Sequence, residues 1–175
     1  RKSALRLLLR GLKLTQIAGV KTNRDFLIAL LQHPDFVSGQ FDTGLISRDL
    51  LSLTEVMVPR PEDWALAALT AMELPYLQQA VALQGFSNFT PLRQKVVLLC
   101  QDQTQQIQVT LKDTCALVEV DGKNLVFQNT ILGWCAEGAA HIATVFASRK
   151  VYLFMAQTLL FDYLDPLDRK AIIKT

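Results

Sequence analysis

The sequence predicts an α+β fold, in which a short helical N-terminal piece precedes an antiparallel β-barrel or strongly curved sheet wrapped on a central apolar helix. Apolar residues recur at helical spacing up to about Leu74, and two-residue alternation takes over after Gly85. Asp121-Gly122, between two apolar runs, is a strong hairpin signal. Of the 175 residues 50% are hydrophobic and 19% charged, so a packed core is expected.

The N-terminal piece predicts two helices and a loop. Five apolar residues share one side of the first helix, which Gly11 weakens near its end: Ala4, Leu5, Leu8, Leu9 and Leu12. The short segment IAGV, residues 17–20, predicts an extended link. Thr22 or Asn23 can cap the second helix, which Pro34 ends.

An unusually apolar helix is predicted in the middle of the chain. A helical segment from about Asp49 is broken by VPRP, residues 58–61, and Pro61 suits the first turn of the next helix. That helix, from Glu62 to Leu74, is apolar nearly all round, so other elements must cover most of it. Beyond Pro75, the segment YLQQAVALQ continues it by a further turn or two.

The second half of the chain predicts consecutive strands. Seven segments have strand character: QKVVLLCQ, QQIQVTLKD, ALVEVDG, KNLVFQNT, AAHIATVFA, KVYLFM and TLLFDYL. Asp121-Gly122 is the strongest hairpin turn, and Glu137-Gly138 and Ser148-Arg149 are weaker ones. Hairpin-linked strands predict an antiparallel meander, closed or nearly closed, whose concave face packs on the helix from Glu62 to Leu74.

Charge and hydropathy exclude several classes of partner. The net charge of +2 is too weak to predict binding to nucleic acid or to an anionic membrane. The basic residues of the first helix alternate with leucines, which predicts a solvated face: Arg1, Lys2, Arg6, Arg10 and Lys13. They also interrupt any apolar run that could serve as a signal peptide. A chain that starts with Arg1 is expected to be an excised fragment.

The cysteines predict a reducing compartment. Cys100, Cys115 and Cys135 are odd in number and form no CxxC pair. Buried free thiols are therefore expected rather than a disulfide framework.

No catalytic pattern is found in the sequence. We therefore predict no catalytic, no cofactor-binding and no metal-binding residue in this chain. His33 and His141 have no ligand-forming residue at a suitable spacing; His33 is interpreted as structural at a helix end, and His141 as a surface histidine in a strand. Asp162 and Asp165 are interpreted as a solvated turn. The aromatic residues are interpreted as core: Trp64, Phe127, Trp134, Phe146 and Phe154. No phosphate-binding glycine motif occurs in the sequence.

The N-terminal quarter closely resembles the C-terminal end of a biotin carboxylase domain. That family has a helix leading into I-x-G-[VI]-x-T-N, followed by F-L…L-x-x-H-x-x-F-x-x-G-x-x-D-T-x-[FL]-I. The matching positions are Ile17, Gly19, Val20, Thr22, Asn23, Phe26, Leu27, His33, Phe36, Gly39, Asp42, Thr43 and Ile46.

The remainder resembles the linker domain of the biotin-containing α subunits of acyl-CoA carboxylases. The resemblance lies in the Ala/Leu-rich helix and in the segments GFSNFTPLRQKVVLL, KVYLF and FDYLDPL. In that family the domain is a long helix surrounded by an antiparallel barrel, and it docks the α subunit onto the carboxyltransferase β subunit. The ending is more similar to 3-methylcrotonyl-CoA carboxylase than to propionyl-CoA carboxylase.

The resemblance implies a domain plan and a parent reaction. Residues 1–47 would end the biotin carboxylase domain, 48–59 form a linker, 60–168 the subunit-interaction domain, and 169–175 begin the linker to a biotin carrier domain. In the parent, ATP, Mg and bicarbonate carboxylate biotin, which delivers carbon dioxide to an acyl-CoA on the β subunit. The glycine-rich loop and the biotin-attachment motif have no counterpart in this sequence. No catalytic residue is therefore carried over.

The resemblance also implies partners and a location. The partners are the carboxyltransferase β subunit and, within one chain, the remaining biotin carboxylase domain and the biotin carrier domain; no nucleic acid and no membrane is expected. The location is cytoplasmic in a bacterium or the mitochondrial matrix in a eukaryote. Phe86, Phe89 and Trp134 are candidate contacts to the β subunit.

Two alternatives stay open. The parent could be a propionyl-, acetyl- or geranyl-CoA carboxylase α subunit. The second half could instead be an independent barrel that encloses an apolar ligand. The position of the helix from Glu62 to Leu74 distinguishes the two, because a barrel filled by its own helix leaves no room for a ligand.

Overall fold

The computed structural model describes residues 1–73, 91, 93–112 and 115–165, and it has the predicted α+β fold. The chain divides into two compact units. The first contains residues 1–58 and 154–158, and the second contains residues 59–153 and 159–175.

The first unit is helical. Its helices are α1 (Lys2–Leu14), α2 (Arg24–Gln32), α3 (Pro34–Ser38), α4 (Leu45–Arg48) and α5 (Leu50–Leu53). The two predicted N-terminal helices are confirmed. The helical segment predicted from about Asp49 is a single turn. A small core joins the helices through four buried side chains: Ile28, Leu31, Leu45 and Leu53.

The connections between these helices depend on backbone conformation. Asn23 is the N-cap of α2 without a side-chain cap bond, and the Thr22 hydroxyl accepts a weak hydrogen bond from the Arg24 N–H at 3.4 Å. Pro34 ends α2, as predicted, and begins α3 as its first residue. The prediction of an extended link over residues 17–20 is wrong at its end, because Gly19 has a φ of 90° and forms a bend with Val20.

The second unit contains an eight-stranded sheet. The strands are β1 (Arg93–Cys100), β2 (Gln103–Lys112), β3 (Cys115–Val120), β4 (Lys123–Thr130), β5 (Gly133–Ala136), β6 (Ala143–Ala147), β7 (Lys150–Phe154) and β8 (Thr158–Leu164). Their order is β5-β4-β3-β2-β1-β8-β7-β6. β1 pairs antiparallel with both β2 and β8, so two meanders join at β1. The short strand β5 was not predicted.

The sheet is strongly curved around helix α6 (Pro61–Ala71). A flat eight-stranded sheet would be about 34 Å wide at a strand spacing of about 4.8 Å. Yet α6 contacts the central strands β1 and β2 and also both edge strands, β5 and β6. The sheet must therefore curl around the helix. Of the two predicted forms, an open curved sheet is observed, since the hydrogen-bonded order ends at β5 and β6.

Helix α6 is the core of the second unit. Every position from Asp63 to Leu69 is buried. The Trp64 ring meets Phe161 of β8 edge to face, with centroids 4.9 Å apart. Pro61 is the first residue, and Asp63 accepts a hydrogen bond from the Arg60 backbone N–H at 2.9 Å. The predicted start is confirmed within one residue; Leu74 and the continuation beyond Pro75 lie outside the described residues.

The hairpin predictions have different outcomes. Asp121 and Gly122 have φ of 50° and 73° between the paired residues Val120 and Lys123, so this hairpin is confirmed. Ser148-Arg149 also joins neighbouring strands, with φ of 53° and 62°, and is confirmed. Glu137-Gly138 forms a turn, but the strands on either side of it lie at opposite edges of the sheet. It is therefore not a hairpin.

Candidate functional site

The most extensively hydrogen-bonded side chain in the described part of the first unit is that of Arg24. It is only 4% exposed. Its Nε donates to the Leu12 carbonyl at 2.8 Å, and Nη2 donates to the Lys13 carbonyl at 3.3 Å. The carbonyls at a helix C-terminus lack partners within the helix, so the guanidinium caps the end of α1.

Asp25 extends this site to a distant part of the chain. Arg24 Nη1 forms an ion pair with Asp25 Oδ1 and donates to the Thr158 hydroxyl at 3.3 Å. The other Asp25 oxygen accepts from the Thr158 backbone N–H at 3.0 Å. Thr158 is thus held through both its side chain and its backbone. The sequence showed Asp25 only as a first-turn acid, because no local pattern links residues so far apart.

Gln157 provides a second attachment for the segment Phe154–Thr158. Its side-chain oxygen accepts from the Met57 N–H at 2.8 Å, and its side-chain nitrogen donates to the Glu55 carbonyl at 2.9 Å. The side-chain amide of Gln157 therefore provides hydrogen-bond partners for two backbone groups of the irregular segment that contains Glu55 and Met57. These contacts position chain segments and present no nucleophile or general base.

His33 lies in a cluster that the spacing of the sequence did not indicate. Ligand atoms of His33, Asp35 and Asp49 lie within 4.8 Å of one another, and His33 Nε2 is 3.3 Å from Asp49 Oδ2. The expectation that His33 has no carboxylate at ligand distance is therefore wrong, because the turn between α4 and α5 brings Asp49 to it. Nδ1 of His33 is buried without a hydrogen-bond partner among the described residues.

Arg48 already neutralises this cluster. Its guanidinium bonds Asp35 at 2.5 Å and Asp49 at 2.9 Å. The hydrogen bond from Arg48 lowers the pKa of Asp49, and the bonds to Asp49 and Asp35 raise the pKa of Arg48. A metal ion would have to displace this cation from both carboxylates. The cluster is therefore better suited to joining short helices than to holding a metal ion.

The carboxylates near the end of the described chain also form ion pairs. Asp162 lies inside β8 and bonds Lys150 of β7, and this bond raises the pKa of Lys150. Asp165 lies 3.7 Å from Arg149. The interpretation of both carboxylates as one solvated turn is wrong for Asp162, which is a cross-strand partner in the sheet.

The remaining residues singled out in the sequence have structural positions. His141 is exposed, as predicted, but precedes β6 instead of lying within a strand. All three cysteines are free thiols; Cys100 is buried, and Cys115 and Cys135 are half-buried. Burial raises the pKa of Cys100 to about 11.

The aromatic residues are mostly core, as predicted. Trp64 and Phe127 are buried, while Phe146 and Phe154 are half-buried. Trp134 is buried on β5, so its interpretation as core is confirmed, and its contact to a β subunit stays a prediction. The positions Phe86 and Phe89 lie outside the described residues.

In the described part of the chain, no helix combines the length and the apolar character that crossing a membrane requires.

Comparison with known proteins shows what the N-terminal part of the chain is similar to. Residues 1–48 match the family model of the biotin carboxylase C-terminal domain. This match and the relative below confirm the predicted resemblance to the α subunits of biotin-dependent carboxylases.

The relative is the mitochondrial methylcrotonoyl-CoA carboxylase subunit alpha of Dictyostelium discoideum, to which the chain is 35% identical over 79 residues. The aligned part is 45% of this chain and 11% of that relative. The chain therefore corresponds to a small portion of the relative's length.

Proposed function

We propose that this chain is a non-catalytic part of the α subunit of an acyl-CoA carboxylase similar to methylcrotonoyl-CoA carboxylase, and that it docks this subunit onto a carboxyltransferase β subunit. One observation carries the proposal. A segment that matches a biotin carboxylase C-terminal domain is followed by a separately packed helix-and-sheet unit. In that unit, the polar contacts of the described residues serve folding.

The surface of the first unit supports a place in a larger assembly. None of the thirteen residues of α1 is buried. Leu7, Leu8 and Leu14 are 68%, 54% and 70% exposed. Exposed apolar patches are a feature of interaction surfaces. In the proposed parent, the remaining biotin carboxylase domain would cover them.

The proposal assigns the chemistry to other parts of the parent. The parent would use ATP, Mg and bicarbonate to carboxylate the biotin of a carrier domain, as the leading resemblance implies. The location that goes with this proposal is the mitochondrial matrix in a eukaryote or the cytoplasm of a bacterium. This chain would contribute binding surface and would hold no cofactor.

The alternative of an independent ligand-binding barrel is disfavoured by α6. The concave side of the sheet is taken up by a helix of the same chain, with Trp64 against Phe161 and Leu69 fully buried. An apolar ligand would have to displace this helix. Among the carboxylases, the relative named above favours methylcrotonoyl-CoA over the propionyl-, acetyl- and geranyl-CoA enzymes as the parent.

The test is direct binding between purified proteins. The full 175-residue chain is mixed with the β subunit of a methylcrotonoyl-CoA carboxylase, and the complex is sized by chromatography with light scattering. A propionyl-CoA carboxylase β subunit is the matched control. A complex with the first and not with the second supports the proposal. No complex with either subunit, while circular dichroism shows a folded chain, contradicts docking by this chain.

The absence of cofactor binding is tested separately. Titration of the chain with MgATP in a calorimeter should give no binding heat. Saturable heat would contradict the assignment of the ATP site to another part of the parent.

A further inference from the structure

The segment Phe154–Thr158, which we call the strap, belongs to the first unit, although the chain on either side of it belongs to the second. It forms the turn between β7 and β8 together with the strand residues at its two ends. Immediately beyond these ends, Leu153 and Leu159 are only 0% and 2% exposed. The strap is therefore a short segment whose two ends are fixed in the core of the second unit.

Gln157 of the strap holds the segment by which the chain leaves the first unit. Residues 55–57 follow α5 without helix or strand structure, and Glu55 and Val56 are exposed. The Gln157 side chain donates to the Glu55 carbonyl at 2.9 Å and accepts from the Met57 N–H at 2.8 Å. Exposed irregular backbone is the part of a protein that opens most easily, so these two bonds raise the free energy that opening of this segment requires.

Thr158 holds the strap on a second support. Its N–H donates to the Asp25 carboxylate at 3.0 Å, and its hydroxyl accepts from the buried Arg24 at 3.3 Å. Within the strap, the Met155 N–H donates to the Gln157 carbonyl at 3.3 Å. The paired strands therefore present Gln157 and Thr158 in a fixed turn, whereas an unpaired segment would first lose conformational entropy to reach the same geometry.

We propose that the strap is a conformational device that couples the two units. While β7 and β8 are paired, the strap keeps residues 55–57 closed, and when this pairing opens, the segment is released. Because such a coupling is reciprocal, closure of residues 55–57 also favours the pairing of β7 with β8. The chain around residues 55–57 is thus ordered only when the second unit is folded. This inference goes beyond the proposed docking to a β subunit and does not depend on it.

The first test measures how often residues 55–57 open in the full, folded chain. Endoproteinase Glu-C cuts after glutamate, and the cleavage rate after Glu55 follows the population of the open segment. Gln157→Met removes both side-chain bonds at similar length, so cleavage after Glu55 should become about tenfold faster. Glu137, in an exposed turn of the second unit, is the reference site in the same digest and should be cut at an unchanged rate.

The same substitution at another glutamine is the matched control. Gln105 of β2 donates to Asp121 at 2.8 Å within the second unit, so Gln105→Met should leave cleavage after Glu55 unchanged. Mass spectrometry of the fragments gives the rates, and circular dichroism checks that both variants are folded. No acceleration by Gln157→Met, or equal acceleration by both variants, would overturn the proposal.

The second test asks whether the strap transmits the state of the sheet. Val151 of β7 is fully buried, so Val151→Ala destabilises the second unit. In each background, urea is set so that tryptophan fluorescence shows the second unit about half unfolded with Val151→Ala and folded without it. With Gln157 present, Val151→Ala should accelerate cleavage after Glu55 about fivefold or more; with Gln157→Met, it should add less than about twofold. Equal acceleration in the two backgrounds, or none in either, would show that the strap does not couple the units.

Discussion

At the residue scale, Arg24 shows how a buried charge joins segments that are distant in sequence. Its guanidinium bonds two carbonyls at the end of α1, one carboxylate and one hydroxyl. Burying a charge is costly unless its donors are satisfied. Here the surrounding backbone and Asp25 satisfy them. The sequence predicted no role for Arg24, because its partners other than the neighbouring Asp25 lie 11 to 134 residues away.

Replacing Arg24 should therefore destabilise the first unit. Arg24→Ala removes the cap of α1 and leaves Asp25 without its cation, so we expect a loss of about 2 kcal/mol. The measurement is urea unfolding followed by circular dichroism at the helical wavelengths. Arg48→Ala is the comparison; since the Arg48 side chain is 56% exposed, its loss should cost clearly less than the loss of Arg24. Equal losses would contradict a special role for Arg24.

The lowered pKa of Asp49 implies that the stability of the first unit depends on pH. Its folded-state pKa lies below the ordinary value of 3.8 because Arg48 donates hydrogen bonds to it. The stabilisation is therefore fully present above about pH 4 and is lost as the pH falls through the lower folded-state pKa. Asp49→Asn should reduce the acid dependence of the urea midpoint between about pH 6 and pH 2. An unchanged dependence would show that Asp49 contributes nothing to it.

The burial of Cys100 implies that the three thiols react at different rates. Its pKa of about 11 and its buried position keep it protonated and protected at pH 8. Burial favours the neutral thiol, so this contribution to stability is present below the ordinary pKa of 9.0 and is lost as the pH rises toward 11. In the native chain, iodoacetamide should label Cys115 and Cys135 well before Cys100, as read by peptide mass spectrometry. Equal labelling rates would contradict this order.

At the element scale, turns and helices were predictable where a local cause determines them. The hairpin at Asp121-Gly122 follows from positive φ at both positions, and α6 follows from Pro61 and its acids. The weaker turn Glu137-Gly138 looked equally local, but its flanking strands lie at opposite edges of the sheet. The sequence pattern contains no local signal for the pairing of strands that are distant along the chain.

Two glycines allow a matched test of these local causes. A Cβ would meet nothing within 4 Å at either Gly11 or Gly122. The two positions therefore differ only in their backbone conformation. Gly11→Ala lies in α1 and should stabilise by about 0.5–1 kcal/mol, whereas Gly122→Ala at φ 73° should destabilise by about 1 kcal/mol. Thermal unfolding of both variants measures the difference. Shifts of the same sign would contradict the assignment of one glycine to a helix and the other to a left-handed turn.

At the scale of the whole molecule, the sequence predicted the class of fold and the helix inside the sheet. The resemblance of the first quarter to a biotin carboxylase domain was also predictable, since its motif is contiguous. The contacts of Arg24 and the cluster at His33 were not, because they depend on how chain segments meet. Gln157, in the loop between two strands, has no local pattern that would mark its bonds to Glu55 and Met57.

The buried helix α6 predicts where the second unit is most sensitive. Leu69 is fully buried, so Leu69→Ala should cost about 2–4 kcal/mol through lost burial and a cavity. Both tryptophans, Trp64 and Trp134, belong to the second unit, so their fluorescence reports its unfolding. Val126→Ala, at a position that is 48% exposed, is the control and should cost less than about 1 kcal/mol. A small effect at Leu69 would argue against a sheet curled on this helix.

The enclosure of α6 also has a consequence for synthesis. The helix leaves the ribosome first, while Phe161, which packs on Trp64, follows about 90 residues after Ala71. At a rate of about 5–20 residues per second, that delay is about 5–18 seconds. During this interval the most apolar segment of the unit is without the strand that completes its cover. A nascent chain of this kind is a natural client for chaperones that shield apolar helices until translation is complete.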